Sequence, residues 1–351
     1  MRDGARVAAV IEVLEQLGTT AQSADEVLHA WLRQRRYIGS KDRRRITDLF
    51  YIILRHRLRL GWHCQAAQQP ETPRMLTLAA LRLVEGMTAA QIEAMFDGTG
   101  YGPPPLTDTE RQALLQWQDL HPSAMPETVR VECPPALAPS LQRQFGTDFS
   151  AELEALTLTA PTDLRVNQHK ATAADVMALL TADGLSPIAI PALADGIRLP
   201  PQPGNLRGMK AFADGWFEPQ DTSSQLAVQT LLHMVAAGTR QEPRATVRIL
   251  DFCAGAGGKT LALAAALGPR GEVLAWDGEQ ARLRRLPPRL ARAGTTDTVT
   301  VLNDPAPHLG QCDAVLVDAP CTGTGTWRRH PEARGRYALA EVTDFVARQQ
   351  E

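Results

Sequence analysis

Two short stretches carry the residue types that do chemistry. The first, Val247 to Thr260, reads VRILDFCAGAGGKT: an apolar run holding Asp251, then Gly255, Gly257 and Gly258 ahead of an alanine- and leucine-rich segment. A strand that stops at glycines and re-enters as a helix turns main-chain N–H groups toward a ligand and lets it approach closely. The second, Asp318-Ala-Pro-Cys321-Thr-Gly-Thr-Gly-Thr-Trp-Arg-Arg-His330-Pro, follows the apolar stretch Ala314 to Val317. In a doubly wound sheet, strand ends meet the ligand crevice, which sets this segment beside the glycine turn. Cys321 then has nucleophilic work available: carbon 5 of cytosine accepts a methyl group once a thiolate has added to carbon 6. Asp318 could hydrogen-bond the ring's N3/N4 edge and share the proton.

Three ligands compete for the glycine turn. A phosphate loop with Lys259 and Thr260 in register needs a glycine where Cys253 stands. A dinucleotide fingerprint counted from Gly255 through Gly257 meets Thr260 where its third glycine belongs. What fits is a loop for S-adenosylmethionine, a ligand without phosphate that needs close backbone approach and acidic groups for ribose and adenine. The segment Gly271 to Asp277 ends in such an acid about 20 residues on, where these folds hold ribose hydroxyls. Asp304 closes the next segment and Asp318 the one after. Cys253 is expected to pack inside the turn with only its backbone toward the cofactor. Lys259 stays open between a solvated side chain and a cofactor or substrate contact. Arg328, Arg329, His330, Arg334 and Arg336 are expected to form a flexible basic flap over RNA, with His330 as an orienting group. No metal site is expected.

The elements that position these residues spread over 351 residues, enough for two or three domains. A hydrophobic fraction of 44% with 22% charged residues is that of a globular chain able to bury a core. Net charge is −2, but residues 1–60 carry twelve Lys/Arg against seven Asp/Glu, and residues 61–120 carry three against seven. Local basicity therefore matters more than the total. Cys64, Cys133, Cys253, Cys312 and Cys321 form no CxxC pair and are odd in number. That argues against a disulfide framework or zinc site and for a reducing, cytoplasmic setting. There is neither a signal-peptide core nor a run of about 18 apolar residues, so no membrane contact is expected.

The first 120 or so residues read as helices only. Val10, Val13, Leu14 and Leu17 share a face, Ser23 with Glu26 makes a capping box, and a third helix from Ser40 shows Ile46, Leu49, Phe50, Ile53 and Leu54 on one side. Thr72-Pro73, Thr88 with Gln91 and Thr107 with Glu110 start three more. Arg33, Arg35, Arg36, Lys41, Arg43, Arg44 and Arg45 cluster at one turn, followed by Arg55, Arg57 and Arg59. Two readings stay open: a solvated face, or contact with nucleic-acid phosphates. Prolines between His121 and Pro139 suggest a linker. A mixed module follows, with a strand Asp163 to Asn167, a helix Ala173 to Ala182 and strands near Pro187–Ile190 and Gly196–Leu199. Gly215-Trp-Phe-Glu-Pro-Gln-Asp221 then leads into a helix, Ser224 to Met234, ahead of the glycine-turn strand.

CAGAGGKT, the acids Asp277, Asp304 and Asp318, and DAPCTGTGTWRRHP together resemble the RsmB/Sun family of RNA 5-cytosine methyltransferases. SKDRRRITDLFYIILR is similar to the family's NusB-type RNA-binding domain, and LRVN with GWFEPQDTSSQL to its middle module, so the likeness covers nearly the whole chain. The resemblance implies three modules: an all-α NusB-like bundle over 1–125, a small α+β RNA-binding module over 126–218, and a Rossmann-like methyltransferase domain over 219–351. It implies methyl transfer from S-adenosylmethionine to a cytosine of small-subunit ribosomal RNA; a monomer is expected. The cofactor loop would comprise Cys253, Ala254, Gly255, Ala256, Gly257, Gly258 and Lys259, with Asp277, Asp304 and Asp318 as acidic contacts. Two departures stand out. Gly255-Ala256 replaces the family's alanine-proline. Members also attack with a cysteine of a later Thr-Cys motif, the one matching Cys321 assisting product release, and no cysteine follows Cys321 here. The domain is therefore expected to be incomplete after its fourth strand. Either the sequence is part of a longer product, or Cys321 itself attacks; the alternative from another class is a non-catalytic RNA-binding protein.

Overall fold

The computed structural model describes residues 1–120, 122–238, 246–335 and 339–350; His121 and Arg336 lie outside them. It divides into two compact units, residues 1–159 with 321–351, and residues 160–320.

The first unit begins with the helices Asp3–Gly18, Ala24–Gln34, Ser40–Arg55, Arg57–Ala66, Pro73–Ala79, Ala89–Glu93 and Asp108–Asp119. The expected capping boxes form at Ser23/Glu26, Thr88/Gln91 and Thr107/Glu110, each satisfying N–H groups that a helix start leaves unpaired. Val10, Val13, Ile46, Phe50, Ile53, Leu78 and Leu81 fill a common core. The shorter helices Glu127–Arg130, Ala138–Phe145 and Phe149–Thr157 belong to the same unit. They bury Val131, Leu137, Phe149 and Leu153 around Trp327, which is fully buried. The cluster thus joins residues 131–153 to an apolar partner almost 200 residues further along the chain.

The second unit holds two four-stranded sheets. The first combines β1 (Thr162–Val166), β2 (Ile188–Ala189), β3 (Gly196–Leu199) and β4 (Phe217–Pro219) in the order β2-β3-β1-β4, all antiparallel. β4 lies in the stretch read from the sequence as a lead into a helix. It pairs Val166 with Phe217 and Arg165 with Glu218, and its Pro219 is tolerated on an outer strand. Leu164, Val166, Val176, Leu180, Ile197 and Phe217 form this sheet's core.

The second sheet is parallel: β5 (Val247–Asp251), β6 (Gly271–Ala275), β7 (Val299–Val301) and β8 (Ala314–Leu316) in the order β7-β6-β5-β8. Asp251 is level with Ala275 and Leu316, and Ala275 with Val301, so all four strands finish in one row. The helices Thr222–Ala237 and Gly258–Leu267 pack Val228, Leu261, Leu263 and Ala264 against it. Among the described residues β8 pairs with β5 alone, and Val315 on it and Val317 just beyond it are exposed.

Candidate active site

Every expected acid leaves the parallel sheet at the same end, Asp277 and Asp318 two residues and Asp304 three residues beyond the row where the strands stop. Asp277 is 4% exposed and clamps the turn: its carboxylate accepts the Gly255 N–H at 2.7 Å and the Glu279 N–H at 2.8 Å. Arg282 stands 3.7 Å away. Asp318 accepts a charge-assisted bond from Lys259 Nζ at 2.5 Å, a partner that neither reading of Lys259 had named. Asp304 is exposed and accepts the Ala306 N–H at 2.9 Å.

The turn itself is built by close packing. Gly257 caps the helix Gly258–Leu267 with φ +85°, and a Cβ there would stand 2.2 Å from Leu286 Cδ1. Gly255 also has positive φ. Ala254 is buried, Ala256 half-buried, and Cys253 half-buried with a thiol that burial pushes up, the neighbouring acids adding to the shift. A free thiolate is thus disfavoured at Cys253, in keeping with a packing role. Gly258 is followed by helix-start N–H groups that have no intrahelical partner.

Beneath the turn lies a group the sequence reading passed over. Asp251 ends β5 at 1% exposure, accepts the Thr260 hydroxyl at 2.7 Å, and has its second carboxylate oxygen unpartnered. Burial pushes its carboxyl up to about 6. The signal was present in the sequence as an acid closing an apolar strand.

Side chains from the antiparallel sheet brace the same turn. Gln220 receives Arg165 Nε at 2.8 Å and donates to the Gly258 carbonyl at 3.1 Å. Glu218 binds both Arg289 and Arg292, and Arg289 also donates to the Ala256 carbonyl. Asn167 bridges the Gly215 and Ala293 carbonyls at 3.0 and 2.8 Å. These residues stand in LRVN and GWFEPQD, stretches the sequence singled out without assigning them tasks.

Cys321 is exposed and opens the next segment of the other unit, where its sulfur accepts the Gly323 N–H at 3.4 Å. The basic flap expected there is corrected by the structure. Arg334 is 5% exposed, lies over the Trp327 ring at 5.3 Å, and is pushed down to about 10 by burial. Arg328 donates to the Leu158 and Thr159 carbonyls, and buried Arg55 to the Arg328 carbonyl at 2.8 Å. Glu332 accepts the Ala24 N–H at 3.1 Å and pairs with His330 at 3.7 Å. The segment is packed rather than flexible, because Trp327 needs an apolar pocket and carries its neighbours with it.

The amino-terminal arginines divide similarly. Arg35 pairs with Glu12, Arg45 with Glu85, Arg57 with Glu71 and Arg59 with buried Glu132, while Arg43 donates to the Ile38 and Arg35 carbonyls. Arg33, Arg36 and Lys41 are exposed and have no partner among the described residues. No helix among the described residues is long and apolar enough to cross a membrane.

A parallel sheet ordered β7-β6-β5-β8, a glycine turn after its central strand and acids at the following strand ends define the class: a Rossmann-like methyltransferase domain, here joined to helical and antiparallel modules. Residues 239–351 match the family model described as 16S rRNA methyltransferase RsmB/F, and residues 133–204 that of the RsmF/B-like ferredoxin-like domain. The chain belongs to the RsmB/Sun family of methyltransferases. A ribosomal RNA small subunit methyltransferase B of Citrobacter koseri is 28% identical over 358 residues, covering 97% of this chain and 80% of that protein. The protein of the same name from Klebsiella pneumoniae is 28% identical with the same coverage. Among solved structures, PH0851 superposes with a TM-score of 0.71 at 19% identity over 100% of this chain and 82% of its own. NSun6 from Pyrococcus horikoshii with SFG gives 0.52 at 19% identity over 62% and 77%. At that identity both likenesses speak for the fold alone.

Proposed function

We propose that this chain transfers a methyl group from S-adenosylmethionine to carbon 5 of a cytosine in small-subunit ribosomal RNA. The observation that carries the reading is the row of carboxylates at one end of the parallel sheet, beside a turn too tight for side chains at Gly257. The relatives' names support the RNA substrate. The residues fit the cofactor: small residues from Cys253 to Gly258 allow close approach, and Asp277 offers acceptors for ribose hydroxyls. Asp304 and Asp318 are the further acidic contacts. When bound, the cofactor supplies an electrophilic methyl group.

The protein's own residues do the rest. Asp277 orders the turn, and Lys259 holds Asp318 two residues beyond β8. Asp318 hydrogen-bonds the cytosine N3/N4 edge and shares its proton, while Cys321 handles the covalent bond at carbon 6. A thiolate adding there raises electron density at carbon 5; after methylation the carbon 5 proton passes to solvent water, its bonding pair re-forms the carbon 5–carbon 6 double bond, and the carbon–sulfur bond breaks to return the thiolate. Residues 1–125 and 126–218 bind RNA, residues 219–351 carry the chemistry, and the protein acts as a cytoplasmic monomer.

The test is calorimetric titration with S-adenosylmethionine, followed by incubation with small-subunit ribosomal RNA and nucleoside mass spectrometry for 5-methylcytosine. Cofactor binding without methylated RNA would favour the non-catalytic reading instead. Asp277→Ala is expected to weaken cofactor binding by about a hundredfold or more, the loss of strong charge-assisted bonds, and to leave RNA affinity unchanged. Cys321→Ser separates its two roles on a denaturing gel. Loss of the protein–RNA adduct makes Cys321 the attacking group, accumulation makes it the releasing group, and an unaltered adduct level refutes both.

A further inference from the structure

The helical unit contains a cavity of about 1360 Å³ between the start of the helix Asp3–Gly18, the turn after Ala24–Gln34 and the loop 94–102. Arg2, Trp31, Arg35, Tyr37, Met95 and Tyr101 are among the residues lining it. Tyr37 and Tyr101 are 80% and 89% exposed, the two most exposed large hydrophobic side chains among the described residues, and both belong to this cavity. Aromatic rings ordinarily bury most of their surface. Here well-fastened backbone holds both in solvent. Arg43 donates to the Ile38 and Arg35 carbonyls on either side of Tyr37, at 2.7 and 3.1 Å. Asp97 accepts the Thr99 N–H at 2.9 Å and hydroxyl at 2.6 Å beneath Tyr101.

The charges favour an anionic occupant. The lining carboxylates are already engaged, Asp3 with Arg6, Glu12 with Arg35 and Asp97 with Thr99. Arg2 lines the cavity with its charge toward Asp97, and Arg33, Arg36 and Lys41, on and beside the turn that carries Tyr37, have no partner among the described residues. Arg35 lies 4.0 Å over the Trp31 ring, adding a flat face to the lining.

We propose that this cavity binds single-stranded RNA, with unpaired bases stacked on Tyr37 and Tyr101 and phosphates held by Arg2, Arg33, Arg36 and Lys41. The inference rests on the RNA-methyltransferase reading and adds the strand type and the contact residues. Bases inside a duplex already stack on one another and offer no free face, so the site selects unpaired nucleotides.

Fluorescence anisotropy of the full chain with a labelled single-stranded RNA, and with the same strand in a duplex, tests it. Tyr37→Ala and Tyr101→Ala should each weaken single-strand binding by about tenfold, Phe at either position should keep affinity within about twofold, and duplex binding should not change. Thermal unfolding should be unaltered in all variants, since both rings are exposed. If the wild type binds and methylates RNA and the alanine variants bind it equally well, the inference falls while the enzymatic reading stands, and the cavity is left to a protein partner. A wild-type chain that binds no RNA overturns both. Equal loss with Phe and Ala would also overturn it, because stacking needs only the ring.

Discussion

At the scale of single residues, the two acids at the glycine turn do opposite things. Asp277 accepts one backbone N–H on each oxygen and so braces the turn, whereas Asp251 has one oxygen bound by Thr260 and the other facing no partner. Burial lifts the Asp251 carboxyl from 3.8 to about 6, so ionising it in the folded state costs about 3 kcal/mol. Between these values the folded chain keeps a proton that the unfolded chain has released. Stability therefore falls as pH rises through that window, and the penalty is complete above about pH 6. Asp251→Asn keeps the acceptor for Thr260 without the charge. The variant is expected to match the wild type in urea unfolding at pH 4 and to exceed it by about 2 to 3 kcal/mol at pH 7. A difference that does not depend on pH would assign the shift to another group.

At the scale of elements, two short segments do the positioning. The turn before Gly258–Leu267 works because Gly257 takes a left-handed conformation against Leu286. Gly257→Ala should cost about 1 to 3 kcal/mol in thermal or urea unfolding, since both the backbone angle and the space oppose a Cβ. It should also lower cofactor affinity in the same preparation. The segment after Cys321 is held by Trp327, whose ring is enclosed by Val131, Leu137, Phe149 and Leu153. Trp327→Ala should destabilise the helical unit by about 3 to 5 kcal/mol. Hydrogen exchange should then show residues 321–335 losing protection while the parallel sheet keeps it. Uniform loss across both units would mean that they unfold as one.

For the whole molecule, the near-neutral total conceals a division of labour. Most arginines of residues 33–59 are used up in ion pairs and carbonyl contacts within the helical unit, leaving a small free set on one turn. RNA affinity should therefore show a modest dependence on salt. Replacing Arg36 or Lys41 by alanine should reduce the slope of log affinity against log salt by about 0.7 each, with the same effect on every sequence. Replacing Arg43, which serves the fold, should instead lower the melting temperature. A slope unchanged by the Arg36 and Lys41 variants would move the phosphate contacts elsewhere.

The sequence by itself determined what depends on neighbours a few residues apart. The capping boxes at Ser23, Thr88 and Thr107, the glycine turn at 255–258 and the acids just beyond successive apolar strands were legible because each is settled by local spacing. Strand β4 was not, since Phe217–Pro219 becomes a strand only where β1 offers it an edge. Only the tertiary structure decided which charges are free. Arg55 meets a carbonyl 273 residues away, and Arg334 is drawn into the core beside Trp327, so a segment that reads as a flexible basic flap is tied into the packed unit. The reason is physical: one buried indole ring gains enough from leaving water to fix the path of its neighbours, and no local pattern states where its pocket will be.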